Sequence, residues 1–186
     1  NTIANSVHTN RYNLAVFDLD GTLLDSLDDI ANACNYTLRE LGYPERSTSE
    51  IEAFVGDGAK KLISRILPEE VAEDSEDFRN AFSLYRKRYG EHSMEETKPY
   101  AGILPLLETL QQKGVKTAIL SNKPHDDTVF LSKHYFNGLV DITFGQRDSV
   151  PRKPDPAGLL EIIDLAKETK ESTLYVGDTA VDIITG

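Results

Sequence analysis

The chain of 186 residues contains no tryptophan, one methionine and one cysteine. A single thiol, Cys34, cannot close an internal disulfide, so the fold rests on its hydrophobic core and the chain suits a reducing compartment. No run approaches the roughly 18 apolar residues of a membrane span, and the first residues lack the apolar core of a signal peptide. Positive charge is short too: 20 Lys and Arg stand against 31 Asp and Glu, a net charge of -11. That balance argues against a nucleic-acid partner and against an anionic membrane surface, and a cytoplasmic protein is expected. An anionic substrate would need local donors working against the overall field. Two phosphate-binding signatures are missing, the Gly-x-x-x-x-Gly-Lys-Ser/Thr loop and a Gly-x-Gly-x-x-Gly after a strand. The histidines are scattered without metal-ligand spacing.

What is present is organised around residues Leu14 to Leu24, which read Leu-Ala-Val-Phe-Asp-Leu-Asp-Gly-Thr-Leu-Leu. The apolar run to Phe17 has no polar alternation, which predicts a strand buried on both faces of a parallel sheet. It delivers Asp18 and Asp20 into a turn with Gly21 and Thr22, at the strand end where open α/β sheets bind ligands. Two acids so close repel unless a cation or a shared proton relieves them, which marks a candidate metal and acid/base site. A calcium loop would need Gly at its sixth position and Glu at its twelfth, but counting from Asp18 these are Leu23 and Asp29. An ordinary turn stays open for the stretch taken alone.

In chain order, the residues up to 11 read as a loose lead-in. A helix capped at Asp25-Ser26 runs to Gly42, shorter ones cover Thr48 to Phe54 and Ala59 to Leu67, and a longer one covers Ser75 to Tyr89. Phe78, Phe82, Tyr85 and Tyr89 share one face of that last helix and read as core. Residues 26–97 thus form a helical block without a strand. Beyond it strands and helices alternate: strands at Val115–Leu120, Val140–Phe144 and Thr173–Val176, helices at Ile103–Lys113, His125–Phe136 and Ala157–Lys167. This predicts an α/β fold, a Rossmann-like parallel sheet with an inserted α-helical cap, the core being residues 1–25 and 98–186. Each later strand is followed by candidate chemistry: Ser121-Asn122, then Lys153, then Asp178 and Asp182. A parallel sheet would gather all of them at one rim.

Those four clusters, in that order, resemble the haloacid dehalogenase superfamily of phosphotransferases, in its phosphoglycolate phosphatase and β-phosphoglucomutase branch. Asp18-Leu-Asp20-Gly-Thr22 matches its first motif, Ser121 the second, Lys153 the third, and Gly177-Asp178-Thr-Ala-Val-Asp182 the fourth. The resemblance implies an Mg²⁺-dependent hydrolase of a small phosphorylated metabolite, with phosphoglycolate a candidate. Asp18 would be the nucleophile and Asp20 the acid and base. Ser121, the Asn122 N–H and Lys153 would hold the phosphoryl group. The metal would be held by Asp18, the Asp20 backbone carbonyl and Asp178, with Asp182 directly or through water, while Thr22 would orient the first loop. A cap loop at Gly56-Asp57-Gly58, with Lys60, Lys61 and Arg65 behind it, would face the site and meet a second anionic group. Lys123 would be a secondary phosphate contact. The resemblance also implies a further strand and helix that this sequence, ending at Gly186, does not contain. A sugar-phosphate mutase and an idle phosphate-binding scaffold remain the alternatives.

Overall fold

The structure is a computed structural model and describes residues 11–186, so the lead-in lies, but for Arg11, outside the described residues. β1 (Leu14–Phe17) is followed by a two-residue strand β2 (Leu24–Asp25) and by four helices, α1 (Leu27–Glu40), α2 (Thr48–Phe54), α3 (Ala59–Ile66) and α4 (Glu76–His92). The chain returns through β3 (Lys98–Pro99), α5 (Ile103–Gln112), β4 (Lys116–Pro124), α6 (His125–Phe136) and β5 (Ile142–Gln146). It finishes with α7 (Ala157–Ala166), β6 (Thr173–Val176) and α8 (Ala180–Thr185).

The main sheet has the order β5-β4-β1-β6, with all its neighbours parallel. Alternation along β1 explains its unbroken apolar sequence. Ala15 and Phe17 face the cluster that includes Leu107, Leu131 and Phe136 from α5 and α6, whereas Leu14 and Val16 face Leu159 and Ile162 of α7. Because β4 lies on one side of β1 and β6 on the other, the chain reverses its direction of travel at β1. A ligand crevice opens at such a switch point, beyond the carboxyl ends of the strands.

Two features differ from the sequence expectation. β4 continues through Ser121, Asn122 and Lys123 to Pro124, with an irregular register after Leu120, where the sequence reading ended the strand. An antiparallel pair, β2 with β3, ties residue 24 to 99 and 25 to 98, so the chain leaves and re-enters the sheet layer at one place. Strands of two residues carry no period, so no hydropathy pattern announces them.

The helices between these short strands bury a cluster of their own, with Ile30, Leu38, Ile51, Ile63 and Phe78 among its members. α2 begins at a capping box in which Ser47 and Glu50 satisfy each other's backbone N–H groups, and Ser75 accepts from Phe78 N to start α4. Asp29, buried in α1, accepts from the N–H groups of Glu96 and Thr97 and from the Thr97 hydroxyl at 2.7–3.1 Å. It thereby fastens the return segment. Cys34 sits inside the cluster, and burial pushes its thiol up to about 12. A thiol reagent should therefore label Cys34 roughly a hundredfold or more slower in the native than in the denatured chain. Rapid labelling of native protein in a stopped-flow assay would contradict this packing.

Candidate active site

The rim is assembled by β1, β4 and β6, whose carboxyl ends present Asp18, Ser121 and, after Gly177, Asp178. Lys153 comes from the loop before α7 and is 4% exposed. Its Nζ lies 3.0 Å from Asp18 Oδ1 and 2.6 Å from Asp182 Oδ1. Burial pushes the Asp18 carboxyl up to about 7; the Lys153 ammonium opposes the rise, and the carboxylates of Asp182 and Asp20 add to it. The Leu19 N–H, donating to Asp18 Oδ1 at 2.7 Å, also favours the ionised form.

Asp182 is held by the start of its own helix. Its Oδ2 accepts from the Thr179 N–H at 3.1 Å and the Thr179 hydroxyl at 2.9 Å, and its Oδ1 accepts from the Tyr175 hydroxyl at 2.8 Å. Burial works against its ionisation, but Lys153, Tyr175 and Thr179 outweigh it and hold the carboxyl below its usual range. One oxygen each from Asp18, Asp178 and Asp182 lies within 4.8 Å of the others, a set of hard oxygen donors suited to a small divalent cation. Asp18 and Asp178 fit such an ion best, because both Asp182 oxygens are already engaged, and Asp182 acts foremost on Lys153. Thr22 donates to Asp178 Oδ1 at 2.8 Å and so joins the first loop to the last strand. Gly21 is required where these meet. It has φ +82°, and a Cβ there would lie 2.4 Å from Asp178 Oδ2.

Asp20 turns away from that trio. Its Oδ2 is 2.9 Å from Lys123 Nζ, and its Oδ1 accepts from the Ser26 hydroxyl at 2.6 Å. Burial alone would lower the Lys123 pKa, but Asp20 and Tyr89 raise it above the ordinary lysine value. Lys123, expected as a secondary phosphate contact, is here the partner of Asp20 and lies 4.5 Å from the Tyr89 ring centre. Ser121 accepts from the Lys123 N–H at 3.1 Å, which leaves its own hydroxyl proton free to donate. Asn122 does more than its backbone promised. Its Nδ2 donates to the carbonyls of Gly56 and Lys153, both at 3.0 Å, and its Oδ1 accepts from Lys153 N at 2.9 Å.

Between rim and helices lies a cavity of about 250 Å³, with Asp18, Asp20, Ser121 and Asp178 on one wall and Tyr85, Arg86 and Tyr89 of α4 on the other. Tyr85 and Tyr89 therefore serve the helical core and the cavity at once. Gly56 and Gly58 line it as well, and a Cβ on Gly58, at φ +88°, would come within 3.1 Å of the Asn122 carbonyl. The rest of the loop is engaged elsewhere. Asp57 pairs with Arg65, its carbonyl accepts from Arg152 at 2.8 Å, and Lys61 is drawn outward to Glu73 at 2.8 Å. None of Asp57, Lys60, Lys61 and Arg65 lines the cavity. Arg86 and its partner Asp127 do, and they were missed. The available signal was the position of Arg86 four residues after Phe82 and three before Tyr89, on the flank of the aromatic stripe.

Comparison with known proteins accounts for this rim. The model of the haloacid dehalogenase-like hydrolases matches residues 15–186, and the chain belongs to that family as one of its hydrolases. Among curated relatives it is similar to the phosphoglycolate phosphatase of Aquifex aeolicus, 36% identical over 172 residues, covering 92% of this chain and 78% of the relative. Phosphoglycolate phosphatase 1 of Pseudomonas aeruginosa is 32% identical over 182 residues, covering 92% of this chain, and the chain spans 64% of that relative's length. A crystal structure of a predicted phosphoglycolate phosphatase from Haemophilus somnus superposes with a TM-score of 0.88 at 27% identity, covering 95% of this chain and 81% of that one. Phosphatases of this family generally use a divalent metal, which agrees with the acidic cluster. Among the described residues no helix is long and apolar enough to cross a membrane.

Proposed function

We propose that the protein is an Mg²⁺-dependent phosphomonoester hydrolase acting on a small phosphorylated metabolite, phosphoglycolate foremost, through an aspartyl-phosphate on Asp18. The observation that carries this reading is the meeting of Asp18, Lys153 and the carboxylates of Asp178 and Asp182 at one rim of a parallel sheet. The relatives' names support the substrate class.

Asp18 attacks phosphorus with one carboxylate oxygen, an Oδ–P bond forms, and the P–O bond to the leaving group breaks. Lys153, adjacent to Asp18, offsets the negative charge that builds at the phosphoryl group, and the free Ser121 hydroxyl and the Asn122 N–H donate to its oxygens; each such donor contributes about 3 kcal/mol. Asp20 gives its proton to the departing alkoxide and later takes one from the water that cleaves the Oδ–P bond. To do so it must exchange Lys123 or Ser26 for the reacting oxygen. Asp18 and Asp178 would hold Mg²⁺, whose charge, when bound, lets two anions approach and keeps Asp18 ionised. Residues 26–97 act as a cap that closes the cavity over the rim. A volume of about 250 Å³ lies just below the range of about 300–1,000 Å³ typical of drug-sized ligands, which suits a metabolite of a few carbons.

Phosphate release from a panel of small phosphomonoesters tests the reading. Turnover is expected with Mg²⁺, falling at least about a hundredfold on chelation and returning when Mg²⁺ is restored. Turnover unaffected by a chelator, or none on any ester, would overturn it.

A further inference from the structure

We propose that Arg86 is the receptor for a carboxylate at the far end of the substrate, so that the cavity selects short phosphate esters carrying a second acid. The inference rests on the hydrolase reading above and names the residue that chooses among its substrates.

Among the described residues that line the cavity the only cations are Lys123 and Arg86. Lys123 is committed, with Asp20 at 2.9 Å and the Tyr89 ring against it. Arg86 is not. A guanidinium has five N–H donors, of which Asp127 takes one from each Nη, leaving Nε–H and two Nη protons. The Arg86 side chain is 30% exposed, so part of it remains open. One helical turn on, Tyr89 is 1% exposed, and its hydroxyl reaches no acceptor, its neighbour Lys123 being only a donor, although the residue lines the same cavity. Burial pushes that hydroxyl up to about 12, so at neutral pH it is a proton donor lacking an acceptor. A buried donor is costly to leave unpaired, and a ligand oxygen is what would satisfy it.

An open guanidinium edge with a neighbouring hydroxyl matches the planar pair of oxygens on a carboxylate. A second phosphate fits less well, because the wall already carries Asp25, Glu52 and Asp127 and one cation would not balance a dianion. Asp127, at the start of α6, acts as the positioning residue that presents the fork.

The test compares kcat/KM for phosphoglycolate with that for ethyl phosphate, which lacks the carboxylate. The wild type should favour phosphoglycolate. Arg86→Met should reduce the ratio roughly ten- to hundredfold, and Arg86→Lys, which keeps charge but loses the fork, should reduce it less. Asp127→Asn, which loosens the fork while keeping the guanidinium, should reduce the ratio too, but by less than Arg86→Met. Absence of a wild-type preference, or equal losses on both esters in Arg86→Met, would overturn the inference while leaving the hydrolase reading standing. Should neither ester turn over, that reading falls, and calorimetry with phosphonopropionate and propylphosphonate decides alone. Tighter binding of the carboxylated ligand, lost in Arg86→Met, upholds the receptor; equal binding of the two removes it.

Discussion

Asp18→Asn is expected to abolish phosphate release, by roughly 10⁴-fold or more, while leaving the protein folded. The amide has nearly the shape of the carboxyl it replaces but is too weak a nucleophile to form the Oδ–P bond. Stability should hold because the substitution removes a carboxyl that burial already disfavours as an anion, with its pKa pushed up to about 7. Lys153 retains Asp182 at 2.6 Å, so no buried ammonium is stranded. Phosphate release measured beside a denaturant titration separates the two statements. Turnover comparable to wild type would remove Asp18 from the chemistry, and a collapsed unfolding midpoint would mean that it holds the fold instead.

Asp182→Ala should damage both properties. The side chain is 2% exposed, and the substitution removes acceptors from Lys153, Tyr175, the Thr179 N–H and the Thr179 hydroxyl together. Breaking one side of a buried ion pair costs about 3–5 kcal/mol, and the lower end applies here because Asp18 still faces Lys153. Turnover should fall roughly a hundredfold, since Lys153 is no longer fixed and α8 loses its first-turn anchor. The pH dependence has a definite sign. The Asp182 carboxyl is held below its usual range, so its stabilisation is complete above the unfolded-state pKa and is lost as pH falls through the folded value. The stability gap between wild type and variant should be widest near neutrality and close in acid. A gap that widened in acid would contradict the ion pair.

Much of the sheet was legible because β1 is buried on both faces and its continuous apolar sequence follows from that alone. The acids at its end were legible because a strand has only one carboxyl end at which to leave them. What escaped depends on contacts distant in sequence. Asp29 stands in the first turn of α1 with no local mark of its role, and its partners are 67 and 68 residues away. Asn122 read as a backbone donor, and nothing local says that its amide spans 66 residues to Gly56 and 31 to Lys153. The basic cluster at Lys60, Lys61 and Arg65 stands off the cavity for a different reason. Position after a glycine turn fixes where a helix starts but not its rotation, and Glu73 and Asp57 hold Lys61 and Arg65 outside the cavity. Arg86 carried weaker sequence signal and the better position.

The Asn122 amide links three segments unequally. One of its bonds reaches the turn between α2 and α3, and the other two clasp the backbone on either side of Lys153. Were that turn to swing aside, Asn122 would give up one contact and Arg152 another, while the pair gripping the ammonium-bearing loop would stay closed.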